Sequence, residues 1–195
     1  MKKLILTLAA ILALCTFQQT ETQAQNRWGA EFRSGVDFTT KDIADADLKT
    51  GFGFEGTVSY RFMPHLAAYA GWSWNHFSAD NSFAGTDAGF EETGYTFGLQ
   101  FAHPIGKSDI SYLVRAGGTY NHIEIENKDG EIIIDSGHGL GWQAEAGFMI
   151  HLSENFSLLP SVRYRSLSRN IKVENVNTSV DLDYVSVGVG LTWSF

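Results

Sequence analysis

From Trp28 to Phe195, apolar residues recur at every second position in eight successive segments, and that repetition admits few folds. The first segment carries Trp28, Ala30, Phe32, Val36 and Phe38 on one face and Arg27, Glu31, Arg33 and Asp37 on the other. The fourth sets Tyr95, Phe97, Leu99 and Phe101 against Gly94, Thr96, Gly98 and Gln100. The last sets Val185, Val187, Val189, Leu191, Trp193 and Phe195 against Ser186, Gly188, Gly190, Thr192 and Ser194. One alternating stretch is weak evidence for a strand, but eight in succession predict an all-β chain. The connections alternate in length, with short ones at 63–65, 104–109 and 151–155 and long ones at 40–50, 77–92, 122–138 and 166–183. Short turns at one end and long loops at the other describe an eight-stranded antiparallel up-and-down transmembrane β-barrel, with the short turns on the periplasmic side.

Volume decides which face meets lipid. A soluble barrel turns its apolar face inward. This chain has 5 Trp, 7 Tyr and 14 Phe. Beyond Phe17, all of them except Tyr69, Phe77, Phe83, Phe90 and Tyr184 fall on the apolar face of the alternation. The interior of an eight-stranded barrel is only just wide enough for side chains to fill, so this many rings must point outward. They also gather near the strand ends in two girdles. Trp28, Phe62, Phe101, Tyr112, Phe148, Phe156 and Trp193 form one level, and Phe38, Phe52, Trp74, Tyr95, Tyr120, Trp142 and Tyr164 form the other. The small and polar face is then the lumen, holding Glu31, Asp37, Glu55 and Glu145 with Arg33, Arg61, Arg115, Arg163 and Arg165. Ions in so narrow a space must be paired and hydrogen-bonded. The near balance of sign predicts a cross-barrel ion-pair network that plugs the core; a narrow polar pore or a lateral-exit conduit for small solutes is the alternative.

The N-terminus predicts export. Met1-Lys2-Lys3 is followed by an apolar run from Leu4 to Phe17, and Thr22-Gln23-Ala24 places small residues where a signal peptidase cuts. Residues 1–24 are expected to be a cleaved signal peptide and 25–195 the barrel domain. Cys15, the single cysteine, follows Leu14 where a lipoprotein anchor needs a small residue, and it leaves no pair for a disulfide. No later stretch reaches the 18 apolar residues of a spanning helix. The net charge of −8 argues against a nucleic-acid partner, which requires clustered Lys and Arg.

With this pattern the chain resembles the OmpA-like superfamily of small outer-membrane barrels, particularly its OmpX-type members. The most specific local element is Val187-Gly188-Val189-Gly190-Leu191-Thr192-Trp193-Ser194-Phe195. Its terminal Phe, with Trp193 and Leu191 at alternate positions, resembles the signal that the barrel-assembly machinery reads. The resemblance implies the outer membrane of a Gram-negative bacterium, with outer-membrane lipid and lipopolysaccharide around the barrel. No peptidoglycan-binding domain is expected after Phe195. The superfamily spans several functions, so function must come from sites.

The long connections hold 15 carboxylates against 5 Lys and Arg, which predicts a solvated acidic outer surface. None carries an ordered Asp-x-Asp-x-Asp-Gly calcium pattern. In the third, Ile123, Ile125 and the run Ile132-Ile133-Ile134 flank Asn127-Lys128-Asp129-Gly130, whose Asp-Gly is a strong hairpin signal. A ribbon projecting beyond the membrane follows, with edges open to strand addition by a surface or host protein. The one catalytic hint is His76-Phe77-Ser78 with Glu91 and Glu92 facing it, a nucleophile, base and carboxylate arrangement. It resembles the His-x-Ser of lipid A deacylase barrels, with His76, Ser78 and Glu92 as the matching residues. It departs from them in having Ala79 where their Asn stands and in lying on the third strand. A second His-x-Ser, His151-Leu152-Ser153, falls at a short turn, on the wrong side for lipid A. His65, His103, His122 and His138 show no His-x-x-x-His spacing, and no cofactor or metal is expected. The expected role is non-enzymatic: membrane integrity and surface interaction or adhesion through the acidic loops and the projecting hairpin.

Overall fold

The computed structural model describes residues 27–41, 48–82, 85–173 and 176–195; the expected leader, 1–24, lies outside the described residues. Nine strands are formed and, among the described residues, no helix. They are β1 (Trp28–Thr39), β2 (Gly51–Met63), β3 (Leu66–Ser82), β4 (Gly85–Pro104), β5 (Ile110–Glu126), the short β6 (Ile132–Asp135), β7 (Gly139–His151), β8 (Phe156–Val173) and β9 (Val176–Ser194). Successive wall strands pair antiparallel, with β5 pairing β7 past the short β6, and β1 pairs β9 from Gly29↔Ser194 to Thr39↔Tyr184. The sheet therefore closes into an eight-stranded barrel, and β6 is an added edge on β5. The start of β1 meets the residue after β9 at the seam, where the Trp28 amide donates to the Phe195 carbonyl at 3.1 Å and the Phe195 amide donates to the Trp28 carbonyl at 2.9 Å.

The period-two pattern maps directly onto the wall. Phe32, Phe52, Tyr95, Phe97, Leu99, Val162, Val187 and Leu191 are exposed on the outside, while Thr57, Ser73, Thr96, Thr119, Gln143 and Ser161 are buried inside. Small residues make room for the few large inward ones. A Cβ on Gly117 or Gly98, which face each other across β4 and β5, would stand 2.7 or 2.9 Å from the Tyr69 hydroxyl oxygen.

The strands run much further than the sequence pattern suggested. The stretches 77–92 and 166–183 were expected as loops. Instead β3 continues to Ser82 opposite β4 from Gly85, and β8 continues to Val173 opposite β9 from Val176. At 20 residues, β4 is about 65 Å long and rises roughly 50 Å at a tilt near 40°, about twice the ~25 Å apolar band of an outer-membrane barrel. The cause is an inversion of polarity at constant parity. Beyond the girdle the inward positions turn apolar (Phe77, Ala79, Ala88, Phe90, Leu167, Ile171, Val180, Leu182) and the outward ones turn polar, as in a barrel surrounded by water. Above the membrane the wall thus changes from the lipid kind to the soluble kind without interruption.

Candidate functional site

From the short-turn end upward, the lumen holds a small cavity, a charged layer and an apolar cap. The cavity, about 230 Å³, is lined at the mouth by Arg27, Arg61, His65, Gln100, Ser111 and His151 among others. Arg61, expected within the ion-pair network, is half-buried at this mouth, because its position on β2 is near the turn at Met63 and below the charged layer.

The charged layer is built from inward positions of β1, β2, β4, β5, β7 and β8. Arg163 forms a two-bond fork with Glu55 (Nη1 to Oε2 2.8 Å, Nη2 to Oε1 2.9 Å) and donates to Glu145 Oε2 at 2.9 and 3.1 Å. Arg115 forks onto Glu31, donates through Nε to Gln100 Oε1 at 2.8 Å, and lies 3.6 Å from Glu145. Arg33 donates to Ser161 Oγ at 3.2 Å and stands 3.8 Å from Glu145. Arg165 reaches Glu55 at 3.0 Å and Glu92 at 2.9 Å, and its remaining donors go to Gln143 and Ser73. Four guanidinium groups therefore meet four carboxylates, and the planar forks satisfy the geometry that a buried ion requires. Asp37 is buried in the same lumen, but its bonded partner is the Ser186 hydroxyl rather than an arginine.

Glu92 is the member of this layer that sequence reasoning placed elsewhere. It is fully buried and accepts from Arg165, Asn75, Asn121 and the Tyr184 hydroxyl (2.7 Å). Even positions of β4 point inward, so Glu92 faces the lumen, whereas His76 and Ser78 lie on the outer face of β3. The expected trio of His76, Ser78 and Glu92 is not assembled: its carboxylate is on the far side of the wall. The carboxylate at His76 is Glu91, with Oε1 3.4 Å from Nδ1, and Glu91 also accepts from Trp74 Nε1 at 3.0 Å. Arg169, also not anticipated, closes the charged layer from above by donating to the carbonyls of Asn121 and Leu140, among others.

Above Glu92 the lumen is filled by carbon. Phe77, Phe90, Ile123, Ile125, Leu167, Ile171, Val180 and Leu182 form one cluster, with Leu48 laid over it from the segment before β2. The Tyr184 ring packs edge-on against Phe77 at 5.2 Å while its hydroxyl holds Glu92, tying the cap to the ions below.

On the outside of this upper section, β5 and β6 form the projecting hairpin. Glu124 pairs Asp135 and Ile125 pairs Ile134, a register shift follows, and Glu126 pairs Ile132. Asn127 Oδ1 accepts the amides of Asp129 (2.9 Å) and Glu131 (3.0 Å), and Gly130 takes φ 77° in the tip. Ile134 packs toward the cap, while Ile132 and Ile133 are 55% and 46% exposed. Among the described strands, β6 pairs only with β5, and β8 lies near it without ladder pairing. The Asp135 carboxyl is held below the usual range by the backbone amide of Gly137, with His122 adding to the effect.

The girdle residues named from sequence lie on the outer face, with Trp28, Phe62, Phe101, Phe148 and Trp193 exposed at the short-turn end and Phe52, Tyr95, Tyr120 and Trp142 at the other. Tyr164 and Trp74 are half-buried there, and the Tyr164 ring packs at a tilt against Trp142, 5.3 Å between centroids. Leu191, Trp193 and Phe195 all point outward along β9 beside the seam.

Residues 6–195 match the protein family described as outer membrane protein beta-barrel domain. In fold, the chain is similar to the crystal structure of Neisserial surface protein A, with 13% identity, a TM-score of 0.65, and coverage of 89% of this chain and 100% of that one. It is similar as well to the solution structure of outer membrane protein W from E. coli (14% identity, TM-score 0.59, 89% and 100% covered). A third likeness is to outer membrane protein OprG from Pseudomonas aeruginosa (16% identity, TM-score 0.55, 88% and 98% covered). No curated protein matches the sequence.

Proposed function

The chain belongs to the family of outer-membrane β-barrels, and from that premise we propose that it works as a closed, non-enzymatic barrel whose activity lies on its outer surface. In this role it contributes to membrane integrity and offers the β5–β6 hairpin and the acidic outer rim to a surface or host protein. The observation that carries the proposal is the filling of the lumen above the cavity at the short-turn end. A layer of paired Arg and Glu underlies a buried apolar cap, and this supports a sealed barrel. Catalysis is the weaker reading: Glu91 stands at His76, but no hydrogen bond joins Ser78 to His76 and Glu92 is committed to four lumen partners on the opposite side of the wall.

Single-channel recording of the purified barrel in planar bilayers tests the seal. The expected record is flat. Regular conductance steps that change size when Arg115 or Glu145 is replaced would establish the pore instead.

Surface interaction has its own test. The edge of β6 away from β5 has no ladder partner among the described strands and carries two exposed isoleucines, a combination that supports strand addition. Cells displaying the Ile132→Thr/Ile133→Thr variant are expected to lose most of the attachment that cells with the unaltered protein show to a protein-coated surface. Residues 127–131 can be replaced as a second variant without touching the cap. Deleting 124–134 is unsuitable, because it removes Ile125, which is fully buried in that cap. Attachment that is the same with and without the protein would refute the surface role.

A further inference from the structure

At the root of the hairpin, three potential metal ligands come together from parts of the sequence that show no metal spacing. His122 and Glu124 lie two apart on β5 and so share its outer face, and the register sets Asp135 of β6 opposite Glu124. His122 Nδ1 is 3.1 Å from Asp135 Oδ1 and 3.7 Å from Glu124 Oε1, and one donor atom from each of the three residues lies within 4.8 Å of the others. The His138 ring stacks on His122 at 4.4 Å and 14°.

The two separations from His122 bracket the one expected around a small first-row cation. Two zinc–ligand bonds of about 2.0–2.1 Å at the tetrahedral angle hold their donor atoms about 3.3 Å apart, between the two distances observed. The donor set is imidazole nitrogen plus carboxylate oxygen, which suits zinc and its neighbours. Calcium takes 6–8 oxygens, more than two carboxylates supply. The frame is partly preorganised, since the Gly137 amide donates to Asp135 Oδ1 at 2.8 Å and the Tyr120 ring backs His138 at 5.2 Å.

We propose that His122, Glu124 and Asp135, with His138 beside them, form a surface site for a zinc-class divalent cation that clamps β6 onto β5. The site does not depend on what the hairpin contacts. It departs from the sequence-based expectation of no metal, which considered spacing along the chain and not across a hairpin.

The test is calorimetric titration of zinc chloride into the untagged, folded barrel in detergent micelles, with folding checked by the gel mobility shift on boiling. One zinc per chain is expected, weakened at least about tenfold by His122→Ala and by Asp135→Ala. His103→Ala is the control and should leave binding unchanged: it disrupts the other described His pair, His65 and His103, 4.6 Å apart near the short turns. Cobalt(II) gives a second readout, since its visible ligand-field bands should appear with the unaltered protein and fade in His122→Ala. Retained zinc affinity in His122→Ala, equal affinity for calcium, or no binding by the unaltered barrel at micromolar protein would each overturn the proposal.

Discussion

Replacing Arg163 by Ala is expected to lower the unfolding free energy of the barrel by about 3–5 kcal/mol, the range found when one partner of a buried ion pair is removed. Arg163 is the centre of the charged layer. It alone bonds both Glu55 and Glu145, and without it those two carboxylates share a water-poor space with only the weaker contacts to Arg165, Arg33 and Arg115. Lysine should not rescue it, because an ammonium cannot reproduce the fork that Glu55 receives. Arg61→Ala, at the half-buried mouth, is expected to cost under about 1 kcal/mol. Urea unfolding in lipid vesicles, followed by tryptophan fluorescence, separates the two. Equal small effects would mean that the layer is hydrated and its charges are individually dispensable.

Phe90→Ala should be comparably damaging, at about 3–5 kcal/mol, for an unrelated reason. The ring is fully buried in the cap, so its removal leaves a void that the surrounding Phe77, Ile123, Ile125 and Leu182 can only partly fill. Phe97, seven residues along the same strand, faces outward. Its truncation loses ring area against lipid but leaves no hole, since acyl chains move into the space. The same chemical change on one strand is therefore expected to give a large loss at Phe90 and a distinctly smaller one at Phe97 under identical urea unfolding. A reversed order would contradict the inside-apolar arrangement of the upper barrel.

The contrast shows which parts of the fold were legible in the sequence. Eight strands, their closure and the lipid face followed from alternation together with the number of rings that eight strands can enclose. Of the five aromatics off that face, Tyr69, Phe77, Phe90 and Tyr184 are buried inside, and Phe83 lies outside the described residues. What obscured the upper barrel was the inversion of polarity: the alternation continues through Phe77 and Phe90, but a search for apolar residues facing lipid stops where the outer face meets water. Glu92 was lost for the same reason. Carried on from Phe97 and Tyr95 by parity, it falls on the lumen side, yet as part of an assumed loop it looked like a partner for His76. The cluster at His122 was harder to foresee. It depends on Glu124 pairing Asp135, and the shift after Ile125 makes that register inaccessible from turn length alone.

The seam between β1 and β9 governs the order in which such a barrel is built. Every other join in the wall links strands that follow closely along the chain, so each can form as a local hairpin with a small entropic cost. Only the seam brings together segments from opposite ends. The fork from Arg163 to Glu55 spans 108 residues and that from Arg115 to Glu31 spans 84, and each crosses the interior between strands that an open sheet would hold far apart. These pairs therefore cannot guide the early steps. They lock a cylinder that has already closed, and should add to its lifetime by slowing its opening rather than by hastening its formation.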